Sequence, residues 1–508
     1  MNRTAGILLP IFSLPSKYGI GCFSKSAYDF VDWLKEAGQC YWQILPLVPT
    51  SYGDSPYQSF STYAGNPYFI DLERLIEEGV LTAEECDSVA FGGNETDIDY
   101  EKMYHGRYKL LRKAYERSNI TQNLAYHEFV REHGWWLDDY ALFMAVKSKF
   151  GGVAWTEWPK DIRLRYGYAM DYYRRVQYFE IEFQKYMQFK FYEQWNQLKR
   201  YAHEKGVNII GDIPIYVAMD SADVWANPQL FQLDENNVPT AVAGCPPDGF
   251  SAIGQLWGNP LYRWDYHRAT GYEWWMSRLR HCFKLYDVVR IDHFRGFDEY
   301  YTIPYGETTA LNGTWVKGPG IELFWKMWEV LGNQKVIAED LGYMTDSVRE
   351  LVRASGFPSM KVFEFAFDSR DSGSANDYLT HNYNENCVAY TGTHDNETLS
   401  GWFQNITKEE QAMTRKYLCD MSTPDEKIYW PCICAVMRSH AYMSIIPMQD
   451  YLGYDNESRI NIPSTVGTNW RWRVTEQELS RDLQKKIREI TRIYGRLCWQ
   501  WNESLDRM

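Results

Sequence analysis

Short apolar runs alternate along this chain with longer stretches in which apolar residues recur at a helical period. Eight of the runs have the length and composition of buried strands. They cover residues 6–11, 41–47, 207–213, 288–293, 336–340, 361–367, 388–393 and 442–447. Helical patterns at 321–331, 345–354, 408–421 and 426–438 separate the later runs, and a capping box of Thr475 and Glu478 predicts a last helix that runs to about residue 501. Buried strands that alternate with helices predict an α/β protein, a (β/α)8 TIM barrel.

The connections between the predicted strands differ greatly in length. Residues 55–205, after the second strand, are mostly helical in pattern (101–115 and 172–204) and form a predicted insertion. Residues 218–280, after the third strand, form a second insertion that is rich in Pro, Gly and Trp. Both leave the C-terminal ends of strands, so we expect them to wall the mouth of an active site, the second as a lid. The whole chain, 1–508, would then be a single catalytic barrel unit.

The composition narrows the class of partner. With 53 basic and 67 acidic residues the formal charge is −14, which argues against nucleic acid because such binding needs a basic surface. No stretch is apolar for long enough to span a bilayer, and the ten cysteines lack disulfide spacing, so we expect a cytoplasmic protein without a membrane partner. The chain has 21 Trp and 39 Tyr against 24 Phe. Rings with a hydrogen-bonding edge suit sugars, although a large core explains any single ring more simply.

Carboxylates follow four of the predicted strands, at the end where a barrel of this kind carries its chemistry. They are Asp212, Asp292, Glu339 and Asp395. Removing a carboxylate from water without a partner costs at least several kcal/mol, so such placements usually have a function. The coincidence of several acids at equivalent strand ends predicts a reaction centre there.

Asp292 and Glu339 lie in contrasting local sequences. Arg290 shares a strand face with Asp292, and its guanidinium would favour the charged carboxylate that a nucleophile needs. Glu339 follows an apolar run, residues 336–338, without a local cation, and such a setting raises a carboxyl pKa as a general acid requires. Two carboxyl groups in contrasting settings are the arrangement that cleaves glycosidic bonds. Asp395 would be a third acid, suited to holding sugar hydroxyls.

The residues around Asp292 and Glu339 could also have purely structural roles. Arg290 and Asp292 could form an ion pair that only stabilises the barrel. Glu339 or Asp340 could cap the helix that follows. Taken singly, neither placement separates a catalytic from a structural role.

The histidines beside these acids leave two further alternatives. His394 and Asp395 could simply order a loop. A metal centre could be built from Asp292, His293 and His394. Metal-dependent barrel hydrolases generally need further histidines on early strands, and the first two predicted strands contain none. We therefore expect neither a metal nor another cofactor.

A series of motifs runs from the first fifth of the chain to its last tenth in the order of one enzyme family. They are DSPYQSFS (54–61), GNP (65–67), GDIPIY (211–216), GCPPDGFS (244–251), GQLWGNP (254–260), RIDHFRG (290–296), AEDLG (338–342), THDN (393–396) and NWRWR (469–473). Each is modest alone, but together they are highly specific. The chain resembles the 4-alpha-glucanotransferases, the amylomaltase or disproportionating-enzyme family (glycoside hydrolase family 77), which is related to the α-amylases.

The resemblance implies a reaction and three acids. The reaction is transfer of an α-1,4-glucan segment from a malto-oligosaccharide, or a glucan derived from starch or glycogen, to the 4-hydroxyl of an acceptor glucan or glucose. Asp292 would be the nucleophile of a retaining double displacement, Glu339 the general acid/base and Asp395 the acid that stabilises the transition state. No cofactor is implied.

The resemblance also assigns a set of sugar-binding residues. They are Tyr57, Asp212, Asp248, Phe250, Gln255, Trp257, Arg290, His293 and His394. Tyr57 would stack on the sugar at the cleavage point, which Arg290 and the two histidines would contact. Trp257 and the loop 247–251 would form the acceptor side, with the loop acting as a lid.

Three positions depart from the family pattern. Ser359 and Ser464 stand where glycine is usual, and Thr380 stands where proline often occurs. All three are loop or strand-start positions away from the proposed acids, so we expect them to affect local loop shape only. Two other functions stay open: a hydrolase of the α-amylase type would use the same three acids, and a non-catalytic glucan-binding protein would need none of them.

Overall fold

The computed structural model describes residues 3–92, 94–247, 252–342, 344–368 and 377–498, and only the backbone of Tyr52. Its strands are β1 (Thr4–Leu8), β2 (Tyr41–Gln43), β3 (Asn208–Pro214), β4 (Ala241–Cys245), β5 (Gln255–Pro260), β6 (Val288–Asp292), β7 (Glu299–Pro304), β8 (Thr314–Lys317), β9 (Val336–Ala338), β10 (Ser359–Val362), β11 (Cys387–Tyr390) and β12 (Met443–Pro447). Eight of them form one parallel sheet in the order β10-β11-β12-β1-β2-β3-β6-β9. This sheet is the near-closed wall of a (β/α)8 barrel, which confirms the predicted fold class.

The barrel closes between the two edge strands, β9 and β10, without a regular ladder. The backbone N–H of Ala338 at the end of β9 donates to the carbonyl oxygen of Pro358, just before β10, over 3.1 Å. The backbone N–H of Met360 in β10 donates to Oδ1 of Asp340 over 2.8 Å. A side-chain carboxylate therefore takes the place of one main-chain acceptor at this seam.

Most predicted strands overlap observed ones, but the sixth, 361–367, is largely wrong. β10 ends at Val362, and Phe363–Phe367 forms a 3-10 helix. The neighbouring strand β11 ends at Tyr390, opposite Val362, so no strand is left to continue the ladder. The backbone N–H of Glu364 instead donates to the carbonyl oxygen of Thr391 over 3.2 Å, at the start of a loop.

Helices cover most of the remaining chain. In the described ranges the α-helices are α1 (Lys25–Glu36), α2 (Leu72–Glu77), α3 (Ala83–Asp87), α4 (Tyr100–Arg117), α5 (Leu124–Lys149), α6 (Lys160–Arg163), α7 (Gly167–Val176), α8 (Tyr178–Glu204), α9 (Ala222–Ala226), α10 (Trp264–Ala269), α11 (Glu273–Leu285), α12 (Glu322–Leu331), α13 (Asp346–Ser355), α14 (Leu399–Asn405), α15 (Lys408–Leu418), α16 (Tyr429–Arg438), α17 (Met448–Leu452) and α18 (Arg481–Ile493). α2 to α8 lie between β2 and β3, and α5 packs along α8. The bounds 55–205 and 218–280 of the two insertions stay a prediction.

A second, antiparallel sheet has the strand order β5-β4-β7-β8. Its strands come from the connections that follow β3 and β6, so they leave the C-terminal ends of those barrel strands. The 218–280 segment is thus partly strand.

The predicted last helix begins and ends at the wrong residues. α18 begins after Ser480, whose side chain accepts the N-terminal hydrogen bond, and ends at Ile493. The backbone N–H and the hydroxyl of Thr475 do donate to Oε2 of Glu478, over 2.6 and 2.9 Å. These bonds close a turn that precedes the helix. Throughout the described ranges, no helix combines the length and the apolar character that crossing a membrane requires.

Candidate active site

Arg290 lies at the centre of the site and binds two carboxylates. Its Nη1 is 2.6 Å from Oδ2 of Asp212 and 3.0 Å from Oδ1 of Asp292. Arg290 lies directly opposite Asp212 in the β3–β6 pair and two residues before Asp292 on the same strand. Strand alternation therefore puts all three side chains on one face. The hydroxyl of Tyr57 donates to the same Oδ2 of Asp212 over 2.9 Å, which links it to this group.

Glu339 lies on the strand next to Asp292. Ile291 pairs with Ala338 in the β6–β9 ladder, so Asp292 and Glu339 are the next residues along the two strands. Parallel neighbours of this kind are about 4.8 Å apart. The backbone N–H of His293 donates to Oε2 of Glu339 over 2.6 Å, and that of Leu341 donates to Oε1 over 2.9 Å. Both oxygens of Glu339 are thus held beside Asp292.

The surroundings raise the pKa of both acids. Burial raises the pKa of Asp292 to about 6, although the charge of Arg290 acts in the opposite direction. Burial and the negative charge of Asp292 raise the pKa of Glu339 to about 7. Arg290 does favour the charged form of Asp292, as expected, but burial outweighs it. Because Arg290 touches Asp292, Asp292 is the acid that ionises first.

Asp395 pairs with the ring of His394 in the loop after β11. His394 Nε2 is 3.3 Å from Oδ2 of Asp395, and Nδ2 of Asn461 donates to Oδ1 over 2.6 Å. Burial alone would raise the pKa of Asp395, but His394 and Asn461 hold it well below its usual range. Burial alone would lower the pKa of His394, but Asp395 raises it instead. The third acid is therefore ionised beside a histidine whose pKa it raises.

Aromatic rings join these two groups of acids. The ring of Tyr57 stacks on His394 with centroids 5.1 Å apart and planes 11° apart, and Trp470 lies 5.8 Å from Tyr57. Tyr57 therefore contacts Asp212 through its hydroxyl and the Asp395 loop through its ring.

His293 follows Asp292 in sequence, and its ring packs against β5. It has left-handed backbone angles (φ 56°, ψ 47°), and its ring meets Trp257 edge-on at 4.8 Å. The indole N–H of Trp257 donates to Oε1 of Gln255 over 3.0 Å. Burial lowers the pKa of His293 to about 3, so this ring is neutral. Asp248 and Phe250, predicted to bind sugar in the same region, lie outside the described residues.

The helix-capping alternative for the acids after β9 is wrong. The side chain of Thr345 caps α13, accepting from the backbone N–H of Val348, whereas Asp340 serves β10. In the described ranges, no cluster of three or more His, Cys, Asp or Glu side chains has an arrangement that could hold a metal ion.

The sequence did not single out Asp450, which holds both ends of the Asp395 loop. Its Oδ2 accepts from the hydroxyl of Thr391 over 2.5 Å, and its Oδ1 accepts from the backbone N–H of Leu399 over 2.8 Å. Asp450 is only 1% exposed. The sequence signal is a lone acid just after a strand, in α17, and nothing in its spacing connects it to residue 395.

The chain is similar to known proteins over nearly its whole length. A family model described as 4-alpha-glucanotransferase matches residues 9–479. A 4-alpha-glucanotransferase of Clostridium butyricum is 49% identical over 96% of this chain and 99% of its own length. The one from Thermus thermophilus is 44% identical over 98% of this chain and 100% of its own length. Among solved structures, an amylomaltase from Streptococcus agalactiae in complex with acarbose superposes with a TM-score of 0.94 at 42% identity, covering 98% of this chain and 100% of that one.

The fold and these similarities define an enzyme of the (β/α)8-barrel class. More narrowly, the chain belongs to the 4-alpha-glucanotransferase family.

Proposed function

We propose that this enzyme moves α-1,4-glucan segments from a donor malto-oligosaccharide to the 4-hydroxyl of an acceptor glucan or glucose by double displacement. The observation that carries the proposal is the position of Asp292 and Glu339 at the ends of adjacent strands, with Glu339 bound to the backbone next to Asp292. Retaining glycosidases hold their two carboxyl groups about 5 Å apart, close to the spacing of neighbouring strands. The complex of the S. agalactiae amylomaltase with acarbose supports an oligosaccharide ligand.

In the first step, the ionised carboxylate of Asp292 attacks the anomeric carbon of the sugar to be transferred. The bond between that carbon and the glycosidic oxygen breaks, and protonated Glu339 gives its proton to the leaving oxygen. The products are a free shortened glucan and the transferred glucan segment, held as a glycosyl ester on Asp292. The raised pKa of Glu339 suits it to carry that proton near neutral pH.

In the second step, the 4-hydroxyl of an acceptor attacks the same carbon and releases Asp292. Glu339, now ionised, removes the proton from that hydroxyl. The two inversions restore the α configuration. The negative charge of Asp395 stabilises the positive charge that develops on the sugar in both transition states.

The remaining side chains orient the sugar and the nucleophile. Arg290 orients Asp292 and favours its ionised form, and the stacked pair of Tyr57 and His394 offers an aromatic face to the sugar. His293 contacts the sugar at the cleavage point, with Asp212 and Gln255 nearby, and Trp257 contributes to the acceptor side. Asp248 and Phe250 are proposed for the same side on the family resemblance alone.

Incubation with maltotriose as the only substrate tests the proposal. Transfer predicts glucose together with oligosaccharides longer than maltotriose. A hydrolase with the same acids would give maltose and glucose alone, and that result would refute transfer. A non-catalytic glucan-binding protein would leave maltotriose unchanged.

A further inference from the structure

A small cavity lies at the face of the barrel opposite the catalytic acids. Its volume is about 150 Å³. Arg3 and Tyr442 stand immediately before β1 and β12, and Glu385 lies two residues before β11, so the cavity is at the N-terminal ends of three neighbouring strands. The rest of its lining, residues 438–440, comes from the end of α16 and the loop that follows. Residues at this face of a barrel enzyme usually serve stability, so a charged cavity here needs its own explanation.

Two arginines beside this cavity bind the same two main-chain oxygens. Arg496 is fully buried, and its Nε and Nη2 donate to the carbonyl oxygens of Met437 and Ser439 over 2.7 and 3.1 Å. Nη2 of Arg3 donates to the same two oxygens over 2.9 and 2.6 Å. Because Arg496 alone gives each carbonyl oxygen a donor, capping the end of α16 does not explain why Arg3 is there.

The positive charge of this cluster is not balanced by carboxylates. Within the described part of the chain, Arg3, Arg438 and Arg496 form no ion pair. Burial lowers the pKa of Arg3, and burial together with the positive charge of Arg3 lowers the pKa of Arg496 to about 9, so both remain charged at neutral pH. The dipole of α16 offers only about half a negative charge at its C-terminal end. An anion would supply the charge that is missing.

Several donors in the cavity are left for a ligand. Nη1 of Arg3 and the side chains of Arg438 and His440 make no hydrogen bond to a described residue. Guanidinium groups bind phosphate through paired N–H donors that match its oxygens. The volume far exceeds the about 15 Å³ that a single water needs, and it admits an ion of phosphate size.

Glu385 restricts the ligand further. It is the one carboxylate among the described residues that line the cavity. An ionised carboxylate repels a bare dianion but accepts a hydrogen bond from a hydroxyl. A phosphate group that brings a hydroxyl, either its own in the hydrogen phosphate ion or that of an attached sugar, therefore suits both the arginines and Glu385. A neutral or cationic ligand would leave the arginines without a counter-charge.

We infer that this cavity binds a phosphate group, as inorganic phosphate or as part of a sugar phosphate. The inference goes beyond glucan transfer and does not depend on it, because the cavity and the catalytic acids lie at opposite ends of the barrel strands. A bound phosphate would link Arg3, just before β1, to Arg438 at the end of α16. Because these two residues come together only in the folded chain, the ligand would also stabilise the fold.

Calorimetric titration of the whole protein with inorganic phosphate at constant ionic strength tests this inference. Arg438→Gln is the variant and Arg492→Gln the matched control, because both are exposed arginines in the last turn of a helix and only Arg438 lines the cavity. We expect Arg438→Gln, and likewise Arg3→Gln, to weaken binding about tenfold or more, as the loss of a charge-assisted hydrogen bond does. Arg492→Gln should leave it unchanged. Absence of binding to wild type at about 10 mM phosphate, or equal weakening in the control, would overturn the inference.

Glucose 1-phosphate distinguishes the two sources of phosphate. If a sugar phosphate is the ligand, it should bind more tightly than inorganic phosphate, and Glu385→Gln should remove the difference. Equal affinities would assign the cavity to inorganic phosphate. Arg438→Gln should keep the wild-type kcat and KM for maltotriose. If wild type fails to lengthen maltotriose while phosphate binding that depends on Arg438 persists, the proposed reaction fails and the phosphate site stands.

Discussion

The backbone N–H of His293 donates to Oε2 of Glu339 over 2.6 Å. The residue that follows Asp292 thus holds the acid of the neighbouring strand. The two carboxyl groups are fixed relative to each other by main chain, the least mobile part of a barrel strand. This arrangement lets each acid be tested separately by conservative substitution.

Glu339→Gln should keep the fold. It should lower the rate of transfer from maltotriose by a factor of about 10³ or more, because the leaving oxygen is no longer protonated. A donor with a good leaving group, such as α-maltosyl fluoride, needs no proton and should still glycosylate Asp292. Without a base for the acceptor, the ester should accumulate and appear by mass spectrometry on the peptide that contains Asp292. Asp292→Asn should form no adduct; an adduct on any other residue would reassign the nucleophile.

The pH dependence of kcat/KM should be bell-shaped and narrow. The active form needs ionised Asp292, whose pKa is raised to about 6, and protonated Glu339, whose pKa is raised to about 7. Activity should therefore fall below about pH 6 as Asp292 gains a proton and above about pH 7 as Glu339 loses one. The two values belong to the interacting pair. A profile that is flat from pH 5 to 9 would contradict these roles.

Asp450→Ala should slow catalysis, although we do not expect Asp450 itself to contact the substrate. Removing this carboxylate frees both ends of the loop that carries Asp395, and a misplacement of about 1 Å can cost about 10²-fold in rate. We expect kcat to fall by that order while KM changes little. Asp450→Asn can still accept from Leu399 and can donate to Thr391, so it should recover most of the rate.

A purely structural role for Asp450 would lower Tm in both variants without changing kcat of the folded enzyme. Measuring kcat per folded molecule, well below Tm, distinguishes the two outcomes.

Ser464 has left-handed backbone angles, with φ at 66°. It is one of the three positions at which the sequence departs from the family pattern, and glycine is usual there. The left-handed conformation costs a non-glycine residue about 1–2 kcal/mol, and glycine loses about 0.4–1 kcal/mol more backbone entropy on folding. Ser464→Gly should therefore stabilise the protein by about 0.5 kcal/mol.

Chemical denaturation of Ser464→Gly beside Ser88→Gly checks this prediction. Ser88 is exposed but has an ordinary φ of −73°, so glycine there should only destabilise. Equal losses of stability in the two variants would show that the backbone of Ser464 is not strained.

Local pattern was sufficient to predict the barrel, because each wall strand is an apolar run that needs no knowledge of its neighbours. Local pattern failed to predict the structure where a neighbouring element determines the conformation of a segment. The alternating aromatics of Phe363–Phe367 have a strand period, yet the adjacent strand has already ended and the segment coils into a 3-10 helix. Likewise Thr475 and Glu478 form capping-box bonds in a turn, and α18 begins later.

The catalytic candidates were predictable to the extent that they sit at strand ends. Asp292 is the last residue of β6, Glu339 directly follows β9, and Asp395 lies in the loop after β11. The net pKa of Asp292 was not predictable, because burial by the rest of the barrel outweighs Arg290, the neighbour that the sequence displays. Asp450 was missed because its partners Thr391 and Leu399 lie more than fifty residues earlier.

The incomplete ladder between β9 and β10 has a consequence for how the molecule opens. Hydrogen exchange reports where main-chain hydrogen bonds open most readily. We expect the barrel to open first between β9 and β10, because fewer main-chain hydrogen bonds join these strands. Amide protons on the flanks of this joint should exchange before those of β1 and β12, which share a full register. Glu339 comes directly after β9, so the proposed general acid/base is attached beside the part of the barrel wall that we expect to open first.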